Sequence, residues 1–159
     1  MMESDFQHGP KAYVLALGLI LTAEIGVASQ AETRYVKQNK YPGSSEIVVV
    51  AEGEFEPRSV GSYTLRIYSG ANPKFALDDY VTGLVRPRNG SVEEVKFHDF
   101  DGDGRAEIMV VIRSVGTGGY LSADLFAYTA DTLKLLGSVS DLSKGADLVS
   151  ALKKKLGGE

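Results

Sequence analysis

The stretch DFDGDGRAE, residues 99–107, sets carboxylates at alternate positions. Asp99, Asp101 and Asp103 match positions 1, 3 and 5 of a calcium loop, and Gly104 falls at position 6, where such a loop turns sharply. Hard oxygen ligands so spaced can wrap one Ca2+ ion. The EF-hand places a bidentate carboxylate at position 12, which here is Val110, so Glu107 at position 9 has to complete the set. The competing reading is a hairpin loop whose carboxylates accept hydrogen bonds from their own backbone amides. Other reactive groups are sparse. The chain has no cysteine, hence no thiol nucleophile, and no serine elbow of the hydrolase type. His8 falls in an N-terminal leader, which leaves His98 as the one histidine beyond it. The neighbouring pairs Asp78-Asp79 and Glu93-Glu94 point to opposite faces of a strand, so they do not converge on a glycosidic bond. The expectation is a protein that is not an enzyme.

A second feature is a phrase written twice. Residues 113–120 read RSVGTGGY and residues 58–63 read RSVGSY. In the first, Ser114, Gly116, Thr117, Gly118 and Gly119 lead to Tyr120. The glycines carry no packing surface but permit a tight, protruding turn. Tyrosine at its far end offers a broad ring and a hydroxyl at low entropic cost, as interface anchors do. Thr117 adds a second hydroxyl. In the shorter phrase Ser59, Gly61, Ser62 and Tyr63 stand in a similar setting and make a second candidate contact loop. Both phrases are also compatible with plain strand connections whose tyrosines fold into the core.

The elements that must position these loops are mostly strands. EIVVVAEG is rich in β-branched residues. From Ser62 the chain alternates, with Tyr63, Leu65 and Ile67 on one face and Thr64, Arg66 and Tyr68 on the other. A strand is expected over Tyr80–Val85. Arg88-Asn89-Gly90 signals a tight hairpin, with SVEEVKFHDF as its return strand. EIMVVIRS is apolar on both faces and belongs in the centre of a sheet. YLSADLFAYTADTLKLLGSV divides at a turn near Ala130-Asp131. Residues 32–45 are polar and end in a Pro-Gly turn. In DLVSALKKKLGG, Leu148, Leu152 and Leu156 share one helical face, Asp147 caps the start and Gly157 the end. The fold class is all-β: a small antiparallel β-sandwich or barrel of about seven to eight strands, with a short C-terminal helix.

Composition narrows the partners. A net charge of −4 with no basic patch excludes nucleic acid as a natural ligand. AYVLALGLILTA, after Lys11, has the length of a signal-peptide apolar region and is too short to span a membrane. Small residues precede possible cleavage points after Ala31 and Ala28. Residues 1–31 are therefore expected to be a signal peptide, and residues 32–159 one exported domain that keeps no membrane anchor. Without disulfides its core alone must hold it.

The segments VVVAEGEFEPRSVGSYTLRIYSG, DDYVTGLVRPRNG and DFDGDGRAEIMVVIRSVGTGGYLSADLFAY resemble the bacterial periplasmic inhibitors of invertebrate-type lysozyme. The likeness runs from about Glu46 to the C-terminus, and SVGTGGYLSAD is its most specific part. It implies a periplasmic β-sandwich that forms a homodimer, needs no cofactor, and plugs a lysozyme cleft with protruding loops. The family's Ser-Gly-x-Tyr loop corresponds to Thr117, Gly118, Gly119 and Tyr120, with threonine in place of serine. Two other readings stay open: a calcium-binding β-domain or adhesion module built on Asp99–Glu107, and an inhibitor of another lysozyme class.

Overall fold

The structure, a computed structural model, describes residues 34–157. The expected signal peptide lies outside the described residues. Eight strands form two four-stranded antiparallel sheets, each a simple meander. The first holds β1 (Val36–Lys40), β2 (Ile47–Glu52), β3 (Gly61–Tyr68) and β4 (Tyr80–Arg88), in that order. The second holds β5 (Ser91–His98), β6 (Glu107–Arg113), β7 (Leu121–Thr129) and β8 (Thr132–Leu142). The sheets pack as an open sandwich, and the α-helix α1 (Leu148–Leu156) follows β8.

The core follows from the strand period. Tyr63, Leu65 and Ile67 of β3 are fully buried, while Thr64, Arg66 and Tyr68 between them are half-buried. They meet Val48, Val50, Val92, Ile108, Val110, Ile112 and Phe126 in one apolar layer between the sheets. The other face of β6 contributes Met109 and Val111 to a second cluster, which Leu148 and Leu152 of α1 cover. Burial on both sides explains why IMVVI, residues 108–112 of β6, is an unbroken apolar run. Asp147 caps α1, its Oδ1 accepting from the Ser150 N–H at 3.1 Å. Ala130 and Asp131 both take positive φ, 48° and 60°, in the two-residue turn between β7 and β8.

Two expectations change. The polar stretch before Pro42 contains β1, an exposed edge strand whose lysines discourage further pairing. Arg88-Asn89-Gly90 closes no hairpin. β4 pairs with β3, and β5 pairs with β6, so these residues carry the chain from one sheet to the other. The reason is the Arg88 side chain, which is 2% exposed. Its guanidinium donates to the carbonyls of Pro57 (3.1 Å), Arg58 (2.8 Å) and Ser62 (3.0 Å), and to that of Gly90. Those long-range bonds hold the corner against the hairpin preference of Asn-Gly.

A buried polar cluster ties the sheets together. The Tyr63 hydroxyl donates to Asp124 Oδ2 at 2.6 Å, and Arg86 Nε donates to the same oxygen at 3.1 Å. Ser138 Oγ donates to Asp124 Oδ1. Burial, then the Asp124 charge, pushes the Tyr63 phenol far above its ordinary range. β3 and β4 of one sheet are thereby bonded to β7 and β8 of the other.

Candidate functional site

The meander topology sorts the loops by end. Residues 53–60 (β2 to β3), 89–90 (β4 to β5) and 114–120 (β6 to β7) share one rim. The acidic loop, 99–106, lies at the other.

Residues 114–120 form a closed, braced turn. The Ser114 N–H donates to the Tyr120 carbonyl at 2.9 Å, and the Gly119 N–H donates to the Gly116 carbonyl at 3.1 Å. Gly119 has φ +54°, a conformation that suits glycine. A side chain at Gly118 would overlap the Tyr120 ring, so the bare backbone is the ring's seat. Tyr120 itself is 50% exposed, and Val115, Gly116, Thr117 and Gly118 are exposed beside it. The Ser114 hydroxyl differs. It is buried beneath the turn with no hydrogen-bond partner among the described residues, so it is not offered to a partner.

The brace comes from a neighbouring strand. A register shift between Val92 and Glu94 leaves Glu93 unpaired in the ladder. Its Oε1 accepts from Arg113 Nη2 at 2.6 Å, while Arg113 Nη1 donates to the Gly119 carbonyl at 3.0 Å. Hydrogen bonding to Glu93 is the main reason the Arg113 pKa is raised. Glu93 reads in the sequence as a solvated strand charge. The bulge that redirects it leaves no sequence signature.

The shorter phrase is built differently, and here the expectation needs correcting. Tyr63 is fully buried against Asp124 and cannot meet a partner. Ser62 is turned inward too: its Oγ donates to Glu56 Oε1 at 2.7 Å, and its N–H donates to Glu56 Oε2. A Cβ on Gly61 would collide with that same carboxylate, so Gly61 seats Glu56 rather than forming a protrusion. These two bonds from Ser62 are the chief reason the Glu56 pKa is lowered. Of the four residues, Ser59 alone is exposed. Its carbonyl accepts from the Gly90 N–H at 2.9 Å. Gly90, at φ +121°, also lies directly against the Arg113 carbonyl and Ser114 Cα. One residue therefore touches both loops, and the two phrases do share a rim.

At the opposite end the acidic loop is satisfied by its own backbone. Asp99 accepts from the Gly102 (2.6 Å) and Gly104 (2.9 Å) amides. Asp101 accepts from Asp103 N–H at 3.1 Å, Asp103 from Arg105 N–H at 2.7 Å, and Glu107 from Phe100 N–H at 2.7 Å. Carboxylate oxygens of Asp99, Asp101 and Glu107 come within 4.8 Å of one another, and Asp103 stands outside that group. His98 is exposed and meets the Phe100 ring edge-on, with centroids 5.0 Å apart.

The described residues thus make a disulfide-free sandwich that displays an aromatic ring and a threonine hydroxyl on a short braced loop. Residues 33–156 match the family model for periplasmic lysozyme inhibitors of I-type lysozyme. The chain belongs to this family. It is an inhibitor of I-type lysozyme in the periplasm, not an enzyme. A solved structure of the family's Aeromonas hydrophila inhibitor is 44% identical, with a TM-score of 0.70, covering 74% of this chain and 98% of the other. The A. hydrophila inhibitor in complex with Meretrix lusoria lysozyme is 45% identical, also with a TM-score of 0.70, covering 75% of this chain and 95% of that one. No curated protein matches. Among the described residues no helix is long and apolar enough to cross a membrane.

Proposed function

We propose that residues 114–120 enter the cleft of the target lysozyme and inhibit it by occupancy. A lysozyme cleaves with two carboxyl groups flanking the scissile bond, one of them held protonated. The Thr117 and Tyr120 hydroxyls can hydrogen-bond such carboxyls, and the Tyr120 ring can fill a sugar subsite. The observation that carries this reading is the pose of Tyr120: half-exposed, seated on Gly118, at the end of a turn closed by its own backbone. A loop already ordered loses little entropy on docking, which favours tight binding. Thr117 keeps the hydroxyl of the family's serine and adds a methyl, which alters the fit within the cleft.

Inhibition by this route needs no cofactor. The acidic loop closes on its own amides, and it lies at the end of the sandwich away from the inhibitory turn. The test is cell-wall clearing by chicken-type, goose-type and I-type lysozymes, titrated with the protein in Ca2+ or in chelator. Stoichiometric inhibition of the I-type enzyme alone, equal in both buffers, is expected. Inhibition lost in chelator would make Asp99, Asp101 and Glu107 a working calcium site instead.

A further inference from the structure

The 53–60 loop has its own exposed ring. Phe55 is 97% exposed, the most exposed of the large apolar side chains among the described residues, and Val60 at the end of the same loop is 56% exposed. Single exposed hydrophobes are ordinary on protein surfaces. Three observations set this one apart.

The first is rigidity. The loop carrying Phe55 is fastened by the Arg88 guanidinium to the carbonyls of Pro57 and Arg58. Glu56 is fastened to Ser62, and Arg34 donates to the Glu56 carbonyl. A braced backbone thus holds out a ring that gains nothing from the fold. The second is the lack of a partner. Phe75, exposed at the other end, has the Lys74 ammonium over its ring at 5.4 Å, and exposed Tyr80 meets Tyr68 edge-on at 5.9 Å. Phe55 has no ring or cation partner among the described residues. The third is position. Through Gly90 the 53–60 loop abuts Arg113 and Ser114, the root of the inhibitory turn. Phe55 and Val60 join Val115 and Tyr120 as exposed apolar groups on one rim.

We propose that Phe55, with Val60, is a second anchor that packs on the apolar wall of the same lysozyme beside its cleft. The inference rests on the reading that Tyr120 enters that cleft, since the shared rim is what directs both rings to one partner. It also replaces Ser62 and Tyr63 as contact groups: Ser62 braces the loop through Glu56, Tyr63 belongs to the core, and Phe55 makes the contact.

The experiment measures inhibition constants for Phe55→Ala, Tyr120→Ala and, as a control, Phe75→Ala against an I-type lysozyme, with melting temperatures alongside. Phe55→Ala should weaken inhibition by about tenfold or more, as truncated aromatic anchors do, with an unchanged melting temperature. Phe75→Ala should do nothing. The chain has no cysteine, so Phe55→Cys carrying an environment-sensitive dye gives a direct readout: its emission should shift to the blue when lysozyme binds. If Tyr120→Ala destroys inhibition while Phe55→Ala leaves it intact and the dye does not respond, the second anchor is refuted and the cleft reading stands. If neither Phe55→Ala nor Tyr120→Ala weakens inhibition, both fall.

Discussion

The two Arg-Ser-Val-Gly phrases spell nearly the same words and do opposite things. In residues 113–120 the arginine ends β6 and the tyrosine precedes β7, so everything after the arginine is loop and the ring is half-exposed. In residues 58–63 the glycine already opens β3. Tyr63 is then the third residue of a strand, on its inward face, and its ring becomes core. The glycines differ in the same way. Gly118 makes room for a half-exposed tyrosine ring, and Gly61 makes room for a carboxylate that locks its own loop. A phrase does not determine its role; its place relative to the strand period does.

The largest expected effect tests this contrast directly. Tyr63→Ala removes a fully buried ring and strips Asp124 of a donor. It should cost about 3–5 kcal/mol of stability by denaturant unfolding, whereas a change at half-exposed Tyr120 should stay within about 0.5 kcal/mol. Equal losses at the two tyrosines would break the comparison. Next, Gly118→Ala pushes the Tyr120 ring off its seat. It should weaken inhibition severalfold with no loss of fold, checked by the inhibition constant and circular dichroism together. Glu93→Gln is milder. It loosens Arg113, and through it the Gly119 carbonyl. An exposed ion pair of this kind contributes little to stability, so the effect should appear in inhibition and not in melting.

The smallest effect concerns the Glu56 clamp. Its pKa is lowered from 4.5, chiefly by the two bonds from Ser62. A depressed carboxylate contributes stability above its unfolded pKa and loses it as the pH falls through the folded one. The Ser62 amide should therefore stay protected from exchange through pH 4.5 and open only below it. In a carboxyl NMR titration, Ser62→Ala should bring Glu56 back toward 4.5. Opening of the clamp above pH 4.5 would contradict the assigned bonds.

Much of this was legible in the residues. The alternation Tyr63, Leu65, Ile67 places Tyr63 in the core by period alone, and that signal outweighs the likeness to the other phrase. The apolar run 108–112, the Ala130-Asp131 turn and the Asp147 cap are likewise local features, set by neighbours in the chain. What could not be read depends on distant partners. Arg88 turns a hairpin signal into a crossing between sheets because carbonyls some thirty residues earlier capture its guanidinium. β1 is polar because it is an exposed edge, so hydrophobic patterning passes over it. Glu93 becomes a brace only because a bulge turns it toward Arg113. Phe55 looks like any core phenylalanine until the loop around it is seen to be fastened with the ring outside.

The central claim is that the 114–120 turn is the inhibitory element and contributes little to the fold. The most direct measurement titrates an I-type lysozyme with the unaltered protein and with the Thr117→Ala/Tyr120→Ala double variant, each with its unfolding curve. The account predicts that the double variant unfolds like the parent and no longer inhibits. A variant that inhibits as well as the parent, or one that loses inhibition only because it has lost several kcal/mol of stability, would contradict it.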